Sequence, residues 1–267
     1  MKDGLDVYDI YSRIRKEKPV VHHITNWVTI YDCANVVKAI GGSPIMAHAV
    51  EEVEDIVSIA SCLVLNIGTL TVDVVETMKI AAKMANLRKI PVVLDICGVG
   101  ASRLRNRKAY EISEISYIDI IKGNASEVAS FAGENVFTKG VDSTEVNLDL
   151  VEIASSIAKR KHNTVVITGK NDIVSDGNNT FIVKNGHRLL THVVGTGCMA
   201  TSVIGAFAAV EKNRSIASVA ALACFGIASE IAAEEVSGPA EFKTRFFDAL
   251  YNLDRNLINQ KIKVETL

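Results

Sequence analysis

Between residues 62 and 169 the chain keeps a regular beat. Short apolar runs, rich in β-branched residues, each end in a polar residue or glycine: CLVLNIG (62–68), PVVLDICG (91–98), YIDIIKG (117–123) and TVVITG (164–169). Around and between them, apolar positions recur at helical spacing. In VEEVEDIVSIA (50–60), Val50, Val53, Ile56, Val57 and Ala60 fall on one helical face. VDVVETMKIAAKMANLRK (72–89) and LVEIASSIAKR (150–160) read the same way. Continuous apolar strands separated by helices predict a mostly parallel sheet covered on both faces.

Past Thr168 the rhythm changes. NDIVSDGNNTFIVKNGHRL (171–189) alternates and contains Asp176-Gly177, which predicts an antiparallel hairpin at the sheet edge. Three long helical stretches then run from Cys198 to the C-terminus. One of them holds IASVAALACFGIASEIAA, near the length of a membrane span, but small-residue-rich and interrupted by Ser218, Gly226, Ser229 and Glu230. Such a composition suits a helix buried in a protein core. No repeat or low-complexity linker divides the chain, so the economical reading is one α/β domain over 1–267.

A length of 267 residues is ordinary for an α/β enzyme built on one sheet, and 48% hydrophobic with 22% charged residues suits a large core. Twenty-nine basic against 31 acidic residues leave a net charge of −2, which argues against nucleic acid or an anionic membrane as partner. The one basic cluster, Arg103-Leu-Arg-Asn-Arg-Lys108, reads as a solvated surface loop. Five cysteines at 33, 62, 97, 198 and 224 form no CxxC pair and suit free thiols in a reducing cytoplasm. The first 19 residues are charged throughout, unlike a signal peptide. The six histidines lack the spacing of a metal site.

Ligands of open α/β sheets bind outside the carboxyl ends of the strands. Here those ends carry Asn66, Gly68 and Thr69; Asp95 followed by GVGAS (98–102); Lys122 and Asn124 with Glu127 three residues on; and Thr168 with Gly169. Each also has an ordinary structural use. Asp95 suits a magnesium–phosphate site or a helix cap. Asn124 and Glu127 form a box-like capping pair or sit near a metal. Lys122 contacts a phosphate or is simply solvated.

VVGTGCMATS (193–202) is different in kind. Gly195-Thr196-Gly197 precedes a long Ala/Val/Ile run, so unpaired N–H groups and a helix dipole should face outward there, as an anion site requires. Cys198 then has its thiol pKa lowered by that dipole and can serve as base or nucleophile, or be a plain buried cysteine.

Taken together, HITNWV, GGSPIMAHA, LNIGTL, GNASE, VVITGKNDIVSDG, GTGCMATS and, near the end, FFDALYNL resemble the hydroxyethylthiazole kinases, a family of the ribokinase-like superfamily. The likeness covers most of the chain. It implies a single-domain ribokinase-like three-layer sandwich with a mostly parallel central sheet, helices on both faces and an edge hairpin. It also implies phosphorylation of 4-methyl-5-(2-hydroxyethyl)thiazole with MgATP in thiamine salvage. By that resemblance Asn26, Met46, Gly68 and Gly195 line the thiazole pocket, with His48 nearby. Lys122, Asn124, Thr168 and Gly197 contact ATP, Asp95 and Glu127 lie at magnesium through water or phosphate, and Cys198 is the auxiliary base. A cytoplasmic homotrimer with sites between subunits is implied as well, with Trp27 and Met46 in a region that either covers a neighbour's pocket or packs internally.

Two departures stand out. The family usually has Asp-Pro-Val where this chain has Asp95-Ile96-Cys97, and often arginine at Lys122. Other readings are a cysteine hydrolase using Cys198, a binding-only relative, or a kinase of hydroxymethylpyrimidine. The hydrolase would need a positioned histidine, for which His192 is closest in sequence, and would leave Asp95 and Glu127 without a task.

Overall fold

The computed structural model describes residues 5–133 and 148–267. Of the N-terminal segment read above, residues 1–4 lie outside the described residues. The chain runs through α1 (Val7–Glu17), β1 (Val20–Ile24), α2 (Ile30–Ala39), β2 (Ser43–Met46), α3 (Val53–Ile59), β3 (Cys62–Asn66), α4 (Val72–Arg88) and β4 (Val92–Asp95). It continues through α5 (Arg103–Ile115), β5 (Ile120–Asn124), α6 (Ala125–Ala132), α7 (Leu148–Lys161), β6 (Thr164–Thr168), β7 (Asp172–Ser175) and β8 (Thr180–Val183). After a 3-10 turn, Arg188–His192, come α8 (Thr196–Val210), α9 (Arg214–Ala232), α10 (Pro239–Tyr251), α11 (Arg255–Lys261) and β9 (Val264–Thr266).

These strands form one nine-stranded sheet in the order β2-β1-β3-β4-β5-β6-β7-β8-β9. The strands from β2 to β6 are parallel, and each later pairing is antiparallel. Because successive side chains of a strand point to opposite faces, every central strand feeds two cores. Val21, Val64, Val93, Ile120 and Val166 pack under α1, α2, α8, α9 and α10. Leu63, Leu65, Val92, Leu94, Ile121 and Val165 pack under α3 to α7. Burying each such side chain contributes about 1.5–3 kcal/mol.

Helix starts follow local chemistry. Thr71, Ser102, Asn124 and Asn213 each accept a backbone N–H of the first turn of α4, α5, α6 and α9. α9 has the length and hydropathy of a membrane span, yet 83% of that window is buried within the protein. It is a core helix, packed between α8 and α10.

Several sequence expectations need correction. The Arg103–Lys108 cluster is the first turns of α5, not a solvated loop. The guanidinium of Arg105 turns inward, and Lys108 is buried against Glu111 at 2.7 Å. The helix expected from Val50 begins at Val53, and Val50 is exposed. The 171–189 hairpin exists, but β9 lies outside it and forms the true edge. From Thr196 onward the chain holds four helices and that short strand, since the breaks at Asn213, Gly238 and Asp254 divide the run.

Candidate active site

Strand register assembles the centre of the site. Asn66 lies opposite Asp95, and Asp95 opposite Lys122, at the carboxyl edge of β3, β4 and β5. These three share parity with Val64, Val93 and Ile120, so they project into the layer occupied by α8. Asp95 is 1% exposed. Its Oδ2 accepts from Asn66 Nδ2 at 2.9 Å, Thr201 Oγ1 at 2.7 Å and Lys122 Nζ at 3.5 Å. These partners are side chains, not the backbone N–H groups of a helix cap. Oδ1 is buried without a hydrogen-bond partner among the described residues.

Lys122 is buried, so the solvated reading does not hold. Burial disfavours its charge, but Asp95 and then Glu127 outweigh that and move its pKa upward. Nζ also donates to Gly197 O at 3.1 Å, which ties β5 to the first turn of α8.

That first turn has no side-chain cap. Gly195 occupies the cap position at φ +88°, and the first intrahelical bond there runs from Met199 N to Gly195 O at 2.8 Å. The N–H groups of Thr196, Gly197 and Cys198 therefore precede the helical ladder and carry the positive end of the dipole. A glycine is required at 195: a Cβ would come within 2.2 Å of Thr29 Cγ2.

Cys198 is the third residue of α8 and is 9% exposed. Two carboxamides donate to its Sγ, Asn26 Nδ2 at 3.2 Å and Asn66 Nδ2 at 3.3 Å. The neighbouring Cys97 thiol is the leading influence on Cys198, and it lowers the Cys198 pKa. Burial and Asp95 oppose this, Thr29 and Lys122 reinforce it, and the net direction is down. The Cys97 thiol moves up correspondingly, with Cys198 and burial as leading causes. The sequence argument for an acidic thiol thus reaches the right direction, but a neighbouring thiol ranks first among its causes.

The loops around this centre are pinned by side chains. Asn26 Oδ1 accepts from Thr29 N at 3.1 Å and Thr29 Oγ1 at 3.0 Å. Gly68 N donates to Asn66 Oδ1 at 2.8 Å, and its lack of a Cβ leaves room for the Asn26–Asn66 amide pair. Arg105 holds three carbonyls, Ile67 O and Gly68 O at 2.7 Å and Cys97 O at 3.0 Å, and so clasps the β3–α4 loop to the β4–α5 loop. Glu127 accepts from Asn124 N and Gly98 N, both at 2.7 Å, and Asn124 Oδ1 accepts from Glu127 N at 3.0 Å. The capping box is therefore real, and Glu127 additionally anchors the β4–α5 turn.

Not every candidate joins this cluster. Asn26, Gly68, Asp95, Lys122, Gly197 and Cys198 are linked by the contacts above, and Gly195 abuts Thr29. Thr168 faces Asn124 across the β5–β6 register, with its Oγ1 3.4 Å from Gly123 O. Met46 ends β2 beside His23, half-buried at the margin. His48 Nε2 accepts from Thr25 N at 3.0 Å, and its ring stacks on the exposed Trp27. His192 is exposed, and amides, not an imidazole, donate to the Cys198 sulfur.

Sequence reasoning passed over Thr201, Thr29 and Arg105 and gave Asn66 no task. Thr201 had a legible signal, one helical turn after Gly197 in the same motif. Arg105 had none, since its carbonyl partners lie on loops far apart in sequence.

A mostly parallel sheet between two helical layers, with an uncapped helix start facing an acidic strand end, gives the chain a ribokinase-like fold. A ribokinase-like superfamily protein from Enterococcus faecalis has the same fold at TM-score 0.62 and 11% identity, covering 94% of this chain and 89% of its own. The hydroxyethylthiazole kinase family model matches residues 11–256. A hydroxyethylthiazole kinase from Methanosarcina mazei is 52% identical over 95% of this chain and 97% of its own. The structure of a hydroxyethylthiazole kinase protein from Pyrococcus horikoshii superposes with TM-score 0.90 at 38% identity, covering 98% of each chain. The chain belongs to the hydroxyethylthiazole kinase family.

Proposed function

We infer that the protein transfers the γ-phosphoryl group of ATP to the primary alcohol of 4-methyl-5-(2-hydroxyethyl)thiazole, a thiamine-salvage step. The observation that carries this reading is the convergence of Cys198, Asp95 and Lys122 at the uncapped start of α8. Asn26, Met46, Gly68 and Gly195 line the alcohol side. Lys122, Asn124, Thr168 and Gly197 serve ATP.

The alcohol oxygen attacks the γ-phosphorus, the bond to the bridging oxygen breaks, and ADP leaves with that electron pair. Charge on the transferring group falls against the N–H groups of Thr196, Gly197 and Cys198 and the ammonium of Lys122. The alcohol proton passes late to the Cys198 sulfur. Phosphoryl transfer has a loose transition state, so positioning and charge neutralisation outweigh base strength. Asp95 and, through water, Glu127 would hold a magnesium ion, which would offset charge on the phosphate oxygens. Asp95 Oδ1, buried and unpartnered among the described residues, fits a cation or its water. Glu127, with both oxygens on backbone N–H groups, fits only through water.

The test is ADP release with MgATP, comparing hydroxyethylthiazole, hydroxymethylpyrimidine and a no-alcohol blank. Turnover with the thiazole alone is expected. Turnover with the pyrimidine alone would reassign the alcohol, and none above blank in folded protein would overturn the kinase reading.

Cys198→Ala is expected to lower kcat about ten- to a hundredfold while KM for the thiazole is kept. Unchanged kcat with binding intact would remove the base role. Cys97→Val, which installs the usual family residue, deletes the thiol that lowers the Cys198 pKa. The acid limb of kcat should then move to higher pH. Superimposable kcat–pH profiles would show that Cys97 does not tune the base.

A homotrimer with sites between subunits completes the proposal. Trp27, Val28, Tyr31 and Val194 are each more than half exposed beside the site, an apolar face that supports such a contact. Light scattering should give three times the chain mass.

A further inference from the structure

We propose that Asn66 is the positioning residue of the site, acting through the Cys198 sulfur and Asp95. This rests on the kinase reading and deepens it. A carboxamide has two N–H donors and two acceptor lone pairs. Asn66, 2% exposed, uses all four. Nδ2 donates to Asp95 Oδ2 at 2.9 Å and to Cys198 Sγ at 3.3 Å. Oδ1 accepts from Gly68 N at 2.8 Å and Asn26 Nδ2 at 3.0 Å.

The amide orientation follows from these partners. A flipped carboxamide would set its oxygen against the Asp95 carboxylate and its NH2 against the N–H of Gly68, two repulsive contacts. The side chain thus reads both its neighbours and holds one geometry. Through it, the base, the acidic residue and the two alcohol-side residues Asn26 and Gly68 share one rigid link. Asn66 occupies Asp95 Oδ2 together with Thr201 and Lys122, while Oδ1 stays without a partner among the described residues. With Asn26, it fixes the sulfur from the strand side.

Asn66 owes this place to register. It ends β3 directly opposite Asp95, on the face that meets α8. No other side chain bonds both Asp95 and Cys198 among the hydrogen bonds of the described residues.

The experiment uses Asn66→Ala, Asn66→Asp, Cys198→Ala and the Asn66→Ala/Cys198→Ala double variant, with kcat and both KM values measured for each. Wild-type turnover above the no-alcohol blank tests the parent reading by itself, and ratios among variants test this inference. Asn66→Ala and Asn66→Asp are expected to lose about ten- to a hundredfold in kcat, with KM for ATP within about threefold of wild type. The double variant should lie within about threefold of the poorer single variant, because the two side chains act as one unit. Losses that multiply would overturn the proposal. So would a rise in KM for the thiazole at unchanged kcat, which is what a simple pocket wall gives. Thermal unfolding accompanies the kinetics, and failure of both Asn66 variants to fold would make the residue structural and overturn it too.

Discussion

Asp95→Asn is expected to cost both stability and nearly all turnover. The substitution leaves the Lys122 ammonium, 4% exposed, without the carboxylate 3.5 Å away. Removing one partner of a buried ion pair costs about 3–5 kcal/mol, because the remaining charge stays desolvated. Glu127 also acts on Lys122, which favours the lower end of that range. For a chain of this size, about 3 kcal/mol is a fall of about 6–12 °C in Tm. The amide oxygen can take the place of Oδ2 for Asn66 Nδ2, Thr201 Oγ1 and Lys122, which puts the NH2 at the Oδ1 position and replaces an acceptor for a cation or its water by donors. Calorimetry and steady-state kinetics check both parts. Adding Lys122→Met should restore much of the Tm and none of the activity, since a paired loss leaves no orphan charge. A single variant as stable and active as wild type would show that the pair matters to neither.

Gly195→Ala is the second large effect, and its route is steric. At φ +88° a Cβ costs about 1–2 kcal/mol by itself. Here it would also meet Thr29 Cγ2 at 2.2 Å and Thr29 Cβ at 2.9 Å. Thr29 cannot yield quietly, because its N–H and hydroxyl both bond Asn26 Oδ1, and Asn26 in turn donates to the Cys198 sulfur. The push therefore travels from the helix start through Thr29 and Asn26 to the Cys198 sulfur. Loss of kcat/KM by about a hundredfold or more is expected, since misplacing a reacting group by about 1 Å costs that much. Thr29→Ser, which removes the clashing methyl and keeps the hydroxyl, should recover part of the loss in the double variant. Unchanged kinetics for Gly195→Ala would mean that the loop relaxes without disturbing the site.

Some of the molecule was legible before any coordinates. The runs at 62–68, 91–98, 117–123 and 164–169 became β3 to β6, because a strand buried on both faces must be apolar throughout. The Asp176-Gly177 turn was equally plain. The short strands β1, β2 and β9 had weaker signals. His22 and His23 interrupt the apolar run of β1, and Val264–Thr266 is too short to stand out. Helix periodicity predicted α3, α4 and α7 but not α5, whose basic first turns read as a loop, and α8 and α9 are buried nearly all round, so periodicity could not say where each one breaks.

For the site, the sequence by itself determined the parts: an uncapped glycine-flanked helix start, a thiol in its first turn, acidic and basic residues at strand ends, and the family those motifs share. Tertiary structure alone decided how they are joined. Lys122 and Asp95 are 27 residues apart and become neighbours only through the β4–β5 register. Cys198 meets Asn26 and Asn66 across separations of 172 and 132 residues. Arg105 looked like one charge in an exposed basic run, yet it clasps two loops from below. Local pattern fixes which face a side chain takes, because that depends on backbone period. Which partner it finds there depends on strand register and helix docking, which are set by the packing of both cores at once.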